Sequence, residues 1–96
     1  MTEFDSLVHQ PTRLRLFAYL YRSGTATFPE LRDALELTEG NLSTHLSTME
    51  DAGAVAVEKT FVDRRPQTTY ELTAEGERRF EDHVERLDDL VADLEL

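Results

Sequence analysis

Asn41, Ser43, Thr44, Ser47 and Thr48 place five short hydrogen-bonding side chains in one stretch of this 96-residue chain. Such groups bond phosphates and base edges without the bulk that would hold a helix out of a groove, and an asparagine pairs with adenine through both ends of its amide. Farther on, Arg64 and Arg65 lie in the polar stretch Asp63-Arg64-Arg65-Pro66. Guanidiniums projecting from a turn suit a narrow minor groove or a phosphate clamp. Lys59, just before that turn, suits a phosphate. The chain has no cysteine, which excludes disulfides, thiolate zinc sites and cysteine nucleophiles. It carries no glycine-rich phosphate loop and no nucleophile beside a base, so neither catalysis nor a cofactor is expected. His83 with Asp82 and Glu85 raises a metal site, but one histidine among scattered carboxylates reads as a solvated helix face. No effector site is legible.

The elements that would hold these groups follow from spacing. A short helical turn within residues 1–8 carries Phe4, Leu7 and Val8. Pro11 opens a helix whose apolar face is Leu14, Phe17, Ala18 and Tyr21, with Leu20 beside it, and Gly24 ends it. Thr27 and Glu30 form a capping box for a helix carrying Leu31 and Leu35, with Phe28 at its start. Thr38 caps the next helix, where Leu42, Leu46 and Met49 make one buried stripe and Gly53 marks the stop. That stripe leaves the five polar side chains outward. Solvent alone gives little reason to choose Ser and Thr there over stronger helix formers. His45 falls beside the stripe and is expected to pack and bond a backbone carbonyl. Arg13, Arg15 and Arg32 are expected either to reach the DNA backbone or to pair with nearby acids.

The period then changes from helical to alternating, with Val55, Val57 and Phe61 on one side of the turn and Thr68, Tyr70 and Leu72 on the other: a β-hairpin. Thr73 caps a final helix with Glu75 and Glu77 in its first turn, the favourable sign for the helix dipole. The predicted class is therefore mainly α with a small β-hairpin wing. The order α-α-α-β-β-α is that of a winged helix-turn-helix.

In the final helix Phe80, Val84, Leu87, Val91 and Leu94 recur at spacings of four and three with Leu90 beside them. This heptad seam predicts a dimer interface, since a short chain has nowhere else to bury the outer half of so long a helix. Residues 1–72 read as the DNA-binding part and 73–96 as the dimerisation helix of one continuous domain. A chain of this size buries a marginal core, and a subunit interface would add to it.

The formal net charge is −10, which opposes DNA binding, but residues 73–96 hold 3 basic and 9 acidic side chains and so account for −6 of it. Nine of the ten basic residues are arginine. An acidic, lysine-poor surface fits a salt-loaded cytoplasm, and folding is then expected to strengthen as KCl rises. No apolar run approaches a membrane span and no signal-like start is present, so a cytoplasmic protein is expected.

PTRLRLFAYL, FPELRDALELTEGNLSTHLSTMEDAGAV, the lysine before the turn and RRPQTTYELTAEG, in that serial order, resemble the short winged-helix regulators related to the MarR and ArsR groups. The resemblance covers about residues 7–80. It implies a DNA-binding homodimer, with the helix of about residues 38–52 in the major groove of an inverted repeat and the wing, about 61–68, on the backbone or minor groove. The chain departs from the usual pattern in that its recognition helix has no arginine or lysine and carries Glu39, Glu50 and Asp51. The alternative is a winged helix that docks on proteins within a transcription complex.

Overall fold

The computed structural model describes residues 4–94. Eight elements follow in order: α1 (Ser6–His9), α2 (Pro11–Ser23), β1 (Thr25–Thr27), α3 (Phe28–Leu35), α4 (Glu39–Asp51), β2 (Val55–Val62), β3 (Arg65–Leu72) and α5 (Ala74–Asp93). Helix boundaries sit where side chains satisfy the free N–H groups of a first turn. The hydroxyl oxygens of Thr27, Thr38 and Thr73 accept from the N–H groups of Glu30, Asn41 and Gly76 at 3.2, 3.1 and 3.0 Å. Gln10 does the same for α2, ahead of Pro11, by accepting from Arg13 N at 2.8 Å.

The core gathers Leu16, Phe17 and Leu20 of α2, Leu31 of α3, Leu42, Leu46 and Met49 of α4, Ala54 just ahead of β2, and Val55 and Leu72 from the strands. The buried face of α2 is rotated from the expected one. Leu16 is inside and Ala18 is exposed, whereas Tyr21 packs on Phe80 of α5 with much of its ring left open to solvent. At the N-terminus the helical turn is α1, and Phe4 lies ahead of it, stacked on His9. Residues 1–3 of the expected turn lie outside the described residues.

The sheet has three strands in the order β1-β3-β2, not the two of the expected hairpin. Thr25–Thr27 pairs antiparallel with Thr69–Glu71, so the approach to the Thr27 cap is itself a strand. The turn is also tighter than the sequence suggested. Only Asp63 and Arg64 lie between the strands, at φ 52° and 66°, while Arg65 pairs with Val62 and Pro66 with Phe61. Two central residues at positive φ define the turn whose twist matches a right-handed hairpin. Val62 and Arg65 are then its hydrogen-bonded closing pair, which leaves the nitrogen of Pro66 facing away from β2. On that other side β1 reaches only residues 69–71, so the missing N–H costs no ladder bond.

Gly76 fixes where α5 meets the body. An added Cβ there would run into the Ala54 carbonyl oxygen and stand 2.9 Å from its carbonyl carbon. That same oxygen accepts from Thr73 N at 3.0 Å, and the Thr73 hydroxyl donates to Gly53 O at 2.6 Å. Farther along α5, Phe80 stacks on Phe17 at 6.2 Å, and Arg79 grips both oxygens of Asp5 at 2.7 and 2.9 Å. The first half of α5 is thereby locked down. Its outer half runs away from the body, giving the molecule extents of 54 × 25 × 20 Å.

Candidate nucleic-acid interface

Asn41, Ser43, Thr44, Ser47 and Thr48 all lie on the exposed side of α4, opposite Leu42, Leu46 and Met49. They differ in what they can offer. Thr44 and Thr48 donate their hydroxyl protons back to the carbonyls of Gly40 and Thr44, at 2.9 and 3.0 Å, leaving oxygen lone pairs outward. The side chains of Asn41, Ser43 and Ser47 have no hydrogen-bond partner among the described residues. The acidity of this helix is partly cancelled where it begins, because Arg32 on α3 bonds Glu39 at 3.1 Å as well as Asp33 at 2.9 Å.

Beside α4 runs a groove of about 380 Å³ whose lining includes Ser43, Ser47, Glu50, Lys59, Thr68 and Tyr70. Its second wall is the hairpin face on which Val57, Lys59 and Phe61 alternate, opposite Tyr70, Thr68 and Pro66. Burial and the Glu50 carboxylate push the Tyr70 hydroxyl up, so it stays protonated as a donor.

The wing stands out when the basic side chains are followed one by one. Arg13 donates to Leu7 O and Ser6 O, at 2.7 and 3.3 Å, and to His45 Nδ1 at 3.3 Å. Arg15 donates to Leu35 O at 2.9 Å. Both were expected to meet phosphates or acids, and both instead close helix ends, where carbonyls lack partners. Arg32, Arg78 and Arg79 hold carboxylates. Among the described residues this leaves Arg22, Lys59, Arg64, Arg65 and Arg86 without a partner, and three of those five belong to the wing. Arg64 sits at φ 66° where glycine would be easier, so its guanidinium is held at the tip despite backbone strain.

Two histidines depart from expectation. His45 bonds Arg13, not a carbonyl. Since a guanidinium only donates, Nδ1 must hold the lone pair and the proton sits on Nε2. His83, expected on a solvated face, is fully buried. Its Nε2 lies 3.1 Å from His9 Nδ1, Phe4 approaches edge-on at 5.4 Å, and its own Nδ1 has no partner. No grouping of three or more His, Cys, Asp or Glu fit to hold a metal occurs among the described residues. Burial pushes both His45 and His83 down, helped by Arg13 for the first and His9 for the second. The unfolded chain therefore takes up protons first, and stability is full above about pH 6.5 and drops below it. Thermal melts between pH 7.5 and 5 should show that drop, and His83→Phe should reduce it to the part that His45 supplies; a melting temperature that ignores pH in this window contradicts the assignment.

On α5 the predicted seam divides. Phe80 is taken by the protein's own Phe17 and Tyr21, at 6.2 and 5.2 Å. Leu87 is half-buried, whereas Val84, Leu90, Val91 and Leu94 are exposed, Leu94 at 59%. Tyr21, Phe80, Val84, Leu87 and Val91 line an apolar groove of about 620 Å³ edged by Glu81, Glu85 and Asp88.

A polar helix face beside a two-stranded flap tipped by arginines, carried on a helix-turn-helix, defines a winged-helix protein. The family model described as a winged helix DNA-binding domain matches residues 12–91, and the chain belongs to that family. It is 32% identical over 84 residues to an uncharacterized protein of Methanocaldococcus jannaschii, covering 88% of this chain and 87% of the other. The solved structure of a transcriptional regulator homologue from Pyrococcus horikoshii superposes with a TM-score of 0.88 at 30% identity, over 94% of this chain and 89% of that one. A MarR-family regulator structure from Enterococcus faecalis gives 0.76 at 30% identity, over 93% and 79%. The chain is a winged-helix regulator of the MarR type, and its family and structural neighbours are transcriptional regulators, not enzymes.

Proposed function

We propose that the chain binds double-stranded DNA as a homodimer and regulates transcription from an inverted repeat. Supporting this above all is the concentration of partnerless cations on the wing, next to an α4 face whose Asn41, Ser43 and Ser47 side chains are likewise unengaged. In this reading α4 enters the major groove. Asn41, Ser43, Thr44, Ser47 and Thr48 meet base edges and phosphates there, and Lys59, Arg64 and Arg65 hold the flanking backbone and minor groove. Within the segment 73–96, of which residues 95 and 96 lie outside the described residues, α5 serves as the dimerisation helix, with Val84, Leu87, Leu90, Val91 and Leu94 against a second copy and Phe80 bracing the seam from inside. Two-fold symmetry then sets the recognition helices about one turn of DNA apart. Chromosomal DNA as the target implies a cytoplasmic place of action.

The division of labour is testable by binding isotherms at several salt concentrations. Arg64→Ala should weaken binding to all sequences alike and lower the salt slope by about one. Asn41→Ala or Ser43→Ala should leave the slope alone and relax sequence preference. Equal losses on selected and random DNA for all three variants would contradict it. The acid at Glu50 and Asp51 is what favours a protein-docking module instead, and such a module would show no salt-dependent hold on DNA.

A further inference from the structure

We infer that Phe61 is an apolar wedge that the wing drives into the minor groove, opening one base step of the bound DNA; this rests on the DNA-binding reading above. Phe61 is 77% exposed, the most exposed large apolar side chain among the described residues. It stands one residue from the hairpin turn, paired with Pro66, on the hairpin face that also carries Lys59 and borders the α4 groove. The tip from 59 to 66 holds Lys59, Arg64 and Arg65 against Asp63, three positive charges to one negative, or +2 in a chain of −10. Its charge therefore complements a polyanion.

Chemistry narrows the partner further. A protein surface would call for a continuous apolar patch, but Val62, the neighbouring exposed residue, points to the opposite face of the strand. One aromatic ring framed by cations fits a site that is anionic at its walls and apolar within. A minor groove has phosphate walls and sugar edges, and a stacked base step accepts a phenyl wedge when it unstacks. The two-residue turn closes directly on the Val62–Arg65 pair, so Phe61 sits on paired strand right behind the tip, with its ring presented to solvent.

The test uses a duplex recovered from random-sequence DNA by the full-length protein, with 2-aminopurine placed in turn at each flanking step. Wild-type binding should raise the fluorescence at one step per half-site and bend the duplex, read by energy transfer between its ends. Phe61→Ala should bind roughly tenfold or more weakly, lose both signals and keep the wild-type salt slope. Phe61→Leu should regain most of each. So exposed a ring contributes little to the fold, and unchanged melting of Phe61→Ala checks this. Wild-type affinity, bend and fluorescence in Phe61→Ala would overturn the wedge and leave DNA binding standing. A lowered salt slope in Phe61→Ala would overturn it too, by showing that the ring only positions the arginines; so would a change in subunit stoichiometry, which would assign the ring to a second copy. If the wild-type protein recovers no duplex at all, the DNA-binding reading itself fails.

Discussion

Val91→Asp should turn the proposed homodimer into monomers while leaving each subunit folded. Val91 is 47% exposed in the single subunit, so a carboxylate there stays hydrated until a partner arrives. In the dimer it would face the apolar groove of Tyr21, Phe80, Val84 and Leu87, already edged by Glu81, Glu85 and Asp88. An uncompensated charge in such a place costs roughly 3 kcal/mol or more, which is at least a hundredfold in the dissociation constant. Operator affinity should fall with it, because two recognition helices tethered together gain from effective concentration what one alone cannot. Sedimentation equilibrium reads the first effect and a DNA titration the second. A Val91→Asp protein that remains a dimer would remove α5 from the interface.

Gly76→Ala should be among the most damaging single changes to the fold. The new methyl group meets backbone, the carbonyl of Ala54, and backbone cannot rotate aside as a side chain can. Relief requires α5 to move outward, which disturbs the Thr73 cap, the bond from Thr73 N to Ala54 O and the stacking of Phe80 on Phe17. Overpacking of this kind together with one lost hydrogen bond amounts to about 3 kcal/mol. In a domain of this size that lowers the melting temperature by roughly 12 °C or more. A melt within a few degrees of wild type would show that α5 docks more loosely than its contacts indicate.

The parts of the molecule that were legible in the sequence are those governed by near neighbours. Three threonine caps, the stripe of Leu42, Leu46 and Met49, and the outward polar face of α4 depend on spacing within one helix. What escaped depends on distant chain. β1 is three residues long, and only its partner Thr69–Glu71 makes it a strand. His83 belongs to a stripe with Gly76 and Phe80, spaced four and three, that faces the body. The seam of Phe80, Val84, Leu87 and Val91 starts from the same phenylalanine and faces away. Both stripes fit the helical period, and periodicity does not say which one the body claims. Gly76 carried a signal all the same: a glycine in the first turn of a helix otherwise built of Ala, Glu and Arg needs a reason, and close backbone approach is the usual one. Arg13 and Arg15 looked available for phosphate because the carbonyls they close, Leu7 and Leu35, end helices whose packing no local pattern records.

The shape of the site was thus readable before its supports were. Helix α4 owes its exposed hydroxyls to its own stripe, whereas the wing owes its strength of charge to what happens elsewhere: Arg13, Arg15, Arg32, Arg78 and Arg79 are each consumed by carbonyls or carboxylates, and the tip is not.

The most direct test is to titrate the purified protein against duplexes it selects from random-sequence DNA, following affinity, stoichiometry and salt dependence together. Two subunits should bind per inverted repeat, with affinity falling steeply as salt rises and with clear preference over unselected DNA. Selection that yields no common sequence, or binding that is indifferent to salt, would contradict the account.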